Sequence, residues 1–300
     1  MRVAVTGSNG LVGRRLVSQL ISAGHEVLGL SRGERRVDGA YTYAAVDLAD
    51  AVLLAKTLGD FKADAIINPG GMTDVDGCER DPIAAYEANV SGVASLAKAA
   101  RATGAHLVHV STDYVFDGDD GPYGVDAKPN PRGTYASTKH AGEQTVKALL
   151  PATQWSIART AVVYGWPSTG KNNFGFWLVS TLAQGKQVPL FQDQWVSTSH
   201  ASNVAAMVKE LAEKKLAGLW HTCGAEVMDR VTFGHRVCER FGFDKALIKP
   251  SRMADVKLAS PRPAKSGLDV TKTAQTLDAK PWTVARALDE LYRERQEHPS

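Results

Sequence analysis

Arg2–Gly24, RVAVTGSNGLVGRRLVSQLISAG, decides how this chain is read. Residues 2–6 are a β-branched apolar run ended by glycine. Leu11, Val12, Leu16, Leu20 and Ile21 then recur at helical spacing as far as Gly24, a residue suited to a helix C-cap. Gly7, Gly10 and Gly13 stand between strand and helix at GxxGxxG spacing. Glycines there permit a tight turn and a close backbone approach to a pyrophosphate, which then faces the free N–H groups of the helix N-terminus. The spacing alone is weak evidence. Between a strand and a helix it predicts a dinucleotide site, with Gly7, Asn9, Gly10, Leu11, Val12 and Gly13 as its turn.

Outward from that unit the chain alternates. HEVLGL (25–30), YTYAAVDL (41–48), ADAIIN (63–68) and AHLVHVS (105–111) read as strands. DAVLLAKTLGDF (50–61) and PIAAYEANVSGVASLAKAARATG (82–104) read as helices. Such alternation predicts an α/β fold, a Rossmann-type doubly wound parallel sheet. Its ligands bind beyond the carboxyl ends of the strands, here TGSNG, LSRG, VDLAD, INPGG and STDYVF. PRGTYASTKHAGEQTVKALL (131–150) reads as a helix and QWSIARTAVVYG (154–165) as a strand. From Trp166 the alternation breaks. The expected division is a cofactor domain over 1–165, joined by about 186–217, and a smaller, entwined substrate lobe over 166–300. PSRMADVKLASPRPAKSG (250–267), rich in proline, serine and lysine, reads as a surface segment.

Composition narrows the function classes. A 44% hydrophobic and 22% charged chain of 300 residues is typical of globular proteins, and a net charge of +3 without a basic–aromatic block argues against nucleic-acid binding. Cys78, Cys223 and Cys238 form neither a CxxC nor a metal spacing, so no metal is expected and the thiols read as buried in a reducing cytoplasm. No leader pattern and no apolar run near a span's ~20 residues is present, so no membrane partner is expected. At the end of the second strand, LSRGERR lacks the acidic residue that holds ribose hydroxyls in NAD sites. Ser31 and Arg32 can instead take a 2′-phosphate, which favours NADPH and leaves NADH open. Asp47 and Leu48, after the third strand, are placed to flank the adenine; a helix cap is the alternative for Asp47.

Further motifs complete a pattern. TGSNGLVG, the Asn-led loop NPGG (68–71), HVSTDYVFDG (109–118), TYASTKHAGE (134–143) and RTAVVYG (159–165) follow one another in an order that resembles the extended short-chain dehydrogenase/reductase superfamily. Together with MTDVDGCERDP (72–82) and ANVSG (88–92) they are most similar to its dTDP-4-dehydrorhamnose reductase branch, well over about 1–165 and more weakly through DQWVSTSHASNVA (193–205) and RPAKSGLD (262–269). The resemblance implies an NADPH-dependent reductase of a nucleotide-linked 4-keto-6-deoxysugar. It makes Tyr135 the proton donor, Lys139 the residue that holds the nicotinamide ribose and lowers the tyrosine's pKa, Thr112 the donor to the sugar carbonyl and Asp113 a substrate contact. Gly10, Leu11 and Val12 fall at the phosphates, Asp47 and Leu48 at the adenine, and Pro69, Gly70 and Gly71 on the loop along the cofactor. Val162 and Asn173 join the expected sugar contacts.

The chemistry asks for such a set. Ketone reduction builds negative charge on oxygen, which needs preorganised donors and then a proton. A phenol is a poor acid at neutral pH unless a neighbouring cation favours its ionised form. The chain also departs from the family. NPGG replaces an alanine-rich loop, Val162 stands where the rhamnose-forming enzymes tend to carry Trp, and DQWVSTS matches only partly. Trp166, Phe174, Phe176, Trp177 or Trp195 can supply another aromatic wall, Arg262 can face the diphosphate, and Asn89 reads either as a residue near the site or as a surface asparagine. Two other functions stay open: an epimerase or dehydratase of the same fold, with Tyr114 after Thr-Asp arguing against dehydration, and a non-catalytic NADP-binding subunit like the methionine adenosyltransferase β subunit. A homodimer is left open.

Overall fold

The opening stretch folds as β1 (Arg2–Thr6) and α1 (Leu11–Ser22) in a computed structural model that describes residues 1–167 and 172–298. The alternation continues through β2 (Glu26–Ser31), β3 (Thr42–Ala45), α2 (Ala51–Phe61), β4 (Ala65–Asn68), α3 (Val75–Arg80), α4 (Pro82–Tyr86), α5 (Gly92–Thr103), β5 (His106–Thr112), α6 (Thr134–Leu149) and β6 (Trp155–Thr160). With a seventh strand, Gly218–His221, they form one sheet in the order β3-β2-β1-β4-β5-β6-(218–221). Every neighbouring pair is parallel. The strand order reverses between β1 and β4, and that switch point opens the crevice for a ligand at the carboxyl ends.

Side-chain alternation divides the core between the two faces of the sheet. Val3 and Val5 of β1, with Ala65 and Ile67 of β4, meet Leu16, Val17 and Leu20 of α1 and Val204, Met207, Val208 and Leu211 of helix Ala201–Glu213. Ala4 and Ile66 point the other way, to Leu54 and Leu58 of α2, Val93, Leu96 and Ala97 of α5, and Val146 of α6. At about 1.5–3 kcal/mol for each buried aliphatic side chain, these two layers hold the strand ends in register.

A third core lies apart from the sheet. Helices Phe174–Ala183, Arg230–Phe241 and Val284–Glu297 pack Tyr164, Leu178, Phe233, Val237, Leu288 and Leu291 around the parallel pair Val188–Phe191 and Ile248–Ser251. The stretch 186–217 is therefore split. Val188 and Leu190 belong to this third core and only Ala201–Glu213 covers the sheet, while Gly218–His221 adds a sheet strand from the part read as substrate lobe. Helical periodicity marks an apolar face without naming the surface it will meet, which is why the split is not visible locally. The segment 250–267 also differs from its reading as surface. Residues 252–259 are largely exposed, but Ser260, Pro263 and Ser266 are buried.

Candidate active site

The phosphate turn fits a dinucleotide. Gly7 sits at φ +55°, and a Cβ there would lie 3.0 Å from the Gly70 Cα; a Cβ on Gly13 would collide with the Gly7 carbonyl. Gly10 is the N-cap of α1 and donates its N–H to the Gly7 carbonyl at 2.8 Å. Leu11 and Val12 open the helix, so its first N–H groups face the crevice. Asn9 is committed elsewhere. Its amide donates to the Glu34 carbonyl (2.9 Å) and the Tyr43 hydroxyl (3.3 Å) and accepts from the Arg36 N–H (2.9 Å), so it fastens the RGERR loop over the turn. Within that loop Arg35 lies over the Tyr41 ring at 4.1 Å. Ser31 ends β2, and Arg32 beside it is exposed. Asp47 accepts from the Ala49 N–H (3.0 Å), whereas the N-cap of α2 is Asp50. Leu48 is half-buried against Gly92.

The loop after β4 explains NPGG. Pro69 and Gly70 are half-buried, and Gly70 presses on Gly7, leaving no room for a larger residue without a shift. Gly71 takes φ +149°. Asn89 holds the loop from below. It sits in a π-helical turn, Glu87–Ser91, and is buried; it accepts from the Met72 N–H (2.9 Å) and donates to the Met72 carbonyl (3.1 Å) and the Thr138 hydroxyl (3.2 Å). The surface reading of Asn89 is thereby corrected. Asn68 accepts from Thr6 Oγ1 (2.5 Å) and donates to His109 Nδ1 (3.1 Å). Burial and the Lys139 ammonium pull that imidazole down to about 3, so it stays neutral.

Helix α6 brings Tyr135 and Lys139 to the end of β5. Glu79 of α3 sets its start by accepting from the Thr134 N–H (2.5 Å) and hydroxyl (2.7 Å), an anion at a helix N-terminus. Gly142 lets the helix lie on Asn89 of the π-helical turn, where a Cβ would come within 2.5 Å of the Asn89 carbonyl. Lys139 is buried and donates to the Val110 carbonyl at 2.8 Å; burial lowers it to about 8. Tyr135 differs from expectation. Burial drives its phenol well above the ordinary range, and the Thr112 hydroxyl opposes this only in part. The Lys139 ammonium makes its hydrogen bond to Val110. Thr112 donates to Asp113 Oδ1 (3.1 Å) and accepts from the Tyr114 N–H (3.2 Å). Asp113 also accepts from Ser266 Oγ (2.6 Å), and burial raises its carboxyl to about 6. Ser266 thus enters the site from the segment read as surface. Beneath it Arg159 grips Glu143 with two bonds (2.9 and 2.8 Å), both side chains fully buried.

On the sugar side, Val162 is half-buried at φ +40°, a strained conformation for a β-branched residue. Asn173 makes its bonds within the protein. It caps helix Phe174–Ala183 by accepting from the Phe176 N–H (3.1 Å) and clasps Gly165 by donating to its carbonyl (2.8 Å). A side chain so engaged fixes the loop. Trp166 and Phe176 stack edge to face in the third core. Trp195 is exposed and lines a cavity of about 290 Å³ with Val227 and Lys265. Arg262 donates to Asp76 (2.8 Å) and the Ser260 carbonyl (2.9 Å), so it latches the segment to α3. Glu79, Ser266 and Arg230 were not anticipated; each makes its key contact with residues far along the chain, and no local pattern marks it.

Comparison with known proteins places this arrangement. Residues 1–296 match the family model described as RmlD substrate binding domain. The chain belongs to that family. Among its members, the Probable low-salt glycan biosynthesis reductase Agl14 of Haloferax volcanii is 36% identical, over 90% of each chain. A dTDP-4-dehydrorhamnose reductase of Mycobacterium tuberculosis is 33% identical, over 89% of this chain and 84% of its own. The same fold recurs in a dTDP-4-dehydrorhamnose reductase of Bacillus anthracis solved in complex with NADP, with a TM-score of 0.86 at 23% identity over 98% and 99% of the two chains. In this RmlD-type chain no described helix is long and apolar enough to cross a membrane.

Proposed function

We infer that this chain is an NADPH-dependent oxidoreductase that reduces the ketone of a nucleotide-linked 4-keto-6-deoxysugar, as the names of its RmlD-family relatives suggest. The observation that carries the reading is the convergence of Tyr135, Thr112 and Lys139 at the end of β5, beside the glycine turn. NADPH, when bound, supplies the hydride. The turn Gly7–Gly13 and loop Pro69–Gly71 receive it, Lys139 holds its ribose, and Ser31 and Arg32 take the 2′-phosphate. Thr112, turning its one hydroxyl proton from Asp113, donates to the carbonyl oxygen as charge builds there. Tyr135 gives that oxygen its proton, and a phenol raised by burial keeps the proton until the charge appears.

The test is loss of NADPH absorbance with a panel of nucleotide 4-keto-6-deoxysugars. No turnover on any of them, with NADPH binding intact, overturns the reading. Cytoplasmic location and a homodimer belong to the same proposal. Three buried free thiols support the first. Exposed Ile83 and Tyr86 on α4 offer apolar surface for the second, which sedimentation checks.

A further inference from the structure

Several buried or half-buried guanidinium groups among the described residues are closed by carboxylates. Arg159 meets Glu143, Arg15 meets Glu294 and the half-buried Arg262 meets Asp76. Arg230 is different. Its Nε donates to the neutral Gln194 Oε1 (3.0 Å), its guanidinium lies 4.4 Å over the Phe174 ring, and its Nη1 is buried without a partner. The neighbouring acids are already engaged: Asp229 accepts from the Thr232 N–H (3.0 Å) and hydroxyl (2.6 Å), and Asp113 accepts from Thr112 and Ser266. An arginine cannot shed its charge, and Asp113, the acid whose charge reaches it, bonds elsewhere, so a desolvated cation is left without an ion-pair partner among the described residues, which is costly.

Its place in the fold deepens that cost. Arg230 is the first residue of helix Arg230–Phe241, and Phe174 beneath it is the first of helix Phe174–Ala183. Two positive helix ends thus meet at a cation, the reverse of what a helix N-terminus favours. Position also links Arg230 to the reaction. Its charge acts on Asp113 and Tyr114, and the Tyr114 ring is 5.6 Å from that of Tyr135. The cation is therefore linked to the proton donor through Tyr114. In a nucleotide-linked 4-keto sugar the diphosphate on C1 lies across the pyranose ring from the C4 carbonyl.

We propose that Arg230 receives the diphosphate of the nucleotide-linked sugar, so that the ligand supplies the anion the protein lacks. The assignment rests on the reductase reading. A planar, two-pronged donor suits phosphate oxygens, and the two helix ends add to the attraction.

Calorimetric titration of the full chain with dTDP, UDP, GDP and CDP, and with the matching nucleosides, tests it. Wild type is expected to bind at least one nucleoside diphosphate. Arg230→Met should weaken that binding at least tenfold, leave the nucleoside's own weak binding and the NADPH Kd unchanged, and melt no lower than wild type. Arg230→Lys, which keeps the charge and the fold but not the fork, should lose less. Equal diphosphate binding by wild type and both variants overturns the assignment. So does an equal loss of nucleoside and diphosphate, which would make Arg230 a structural prop. Should wild type bind no diphosphate while turning over a 4-keto sugar, this site fails and the reductase reading stands. Diphosphate binding lost in Arg230→Met, with no turnover of any 4-keto sugar, leaves the site standing and the reductase reading overturned.

Discussion

Tyr135 holds its proton tightly because it is buried. Tyr135→Phe should therefore lower kcat by about 10²–10⁴-fold, the usual worth of a positioned acid, with NADPH affinity by fluorescence titration unchanged. Asp113, raised to about 6, gives the pH dependence. As an anion it accepts from Ser266 and Thr112, so kcat/KM should fall as pH drops through about 6, and Asp113→Asn should abolish that limb. The sign for stability is opposite. A carboxyl raised above its unfolded value favours folding below that value, and this contribution is lost as pH climbs to about 6. Val162 carries strain of another kind. At φ +40° a glycine is unstrained, so Val162→Gly should melt at or above wild type, whereas the same exchange in a strand interior costs about 1 kcal/mol.

Helix α6 is where local and distant information meet. Its YxxxK spacing was legible because i and i+4 share a helical face. What orients that face was not. Glu79 caps it from α3, Ser260 donates to Glu79 Oε1 at 2.8 Å from 181 residues away, and Gly142 sets its depth against Asn89. Glu79→Ala should cost about 1 kcal/mol of stability, as lost caps do, and lower kcat more than it raises the NADPH Kd. Urea unfolding and steady-state kinetics check both. The β1–turn–α1 unit was readable for the converse reason: its strand, glycine turn and helix complete one another within 23 residues. Asn89 shows the limit. Its π-helical turn swings inward a side chain that ordinary periodicity leaves undecided.

Across the whole molecule, the end of the chain closes its beginning. Glu294 of helix Val284–Glu297 binds Arg15 of α1, accepts from the Trp166 N–H (2.7 Å) and faces His200 at 3.3 Å. Those partners hold its carboxyl down to about 2. The resulting stability is present above the ordinary carboxylate range and disappears as pH falls toward 2. Glu294→Gln should lower unfolding free energy at pH 7 by about 3 kcal/mol, the scale for stripping a buried cation of its partner, and the gap to wild type should close in acid. The alternating pattern of the first half announced the sheet, and the expected return of about 186–217 took in helix Ala201–Glu213, but neither announced that the last strand, Gly218–His221, comes from just beyond it.

That closure bears on how the protein is made. A ribosome that has released only the first half has exposed α1 with Arg15 uncovered, and β6 still waiting for its neighbour. Full NADPH affinity should emerge only once the codon for Glu294 has been read and its residue has cleared the exit tunnel, so stalled chains ending before that point belong to chaperones.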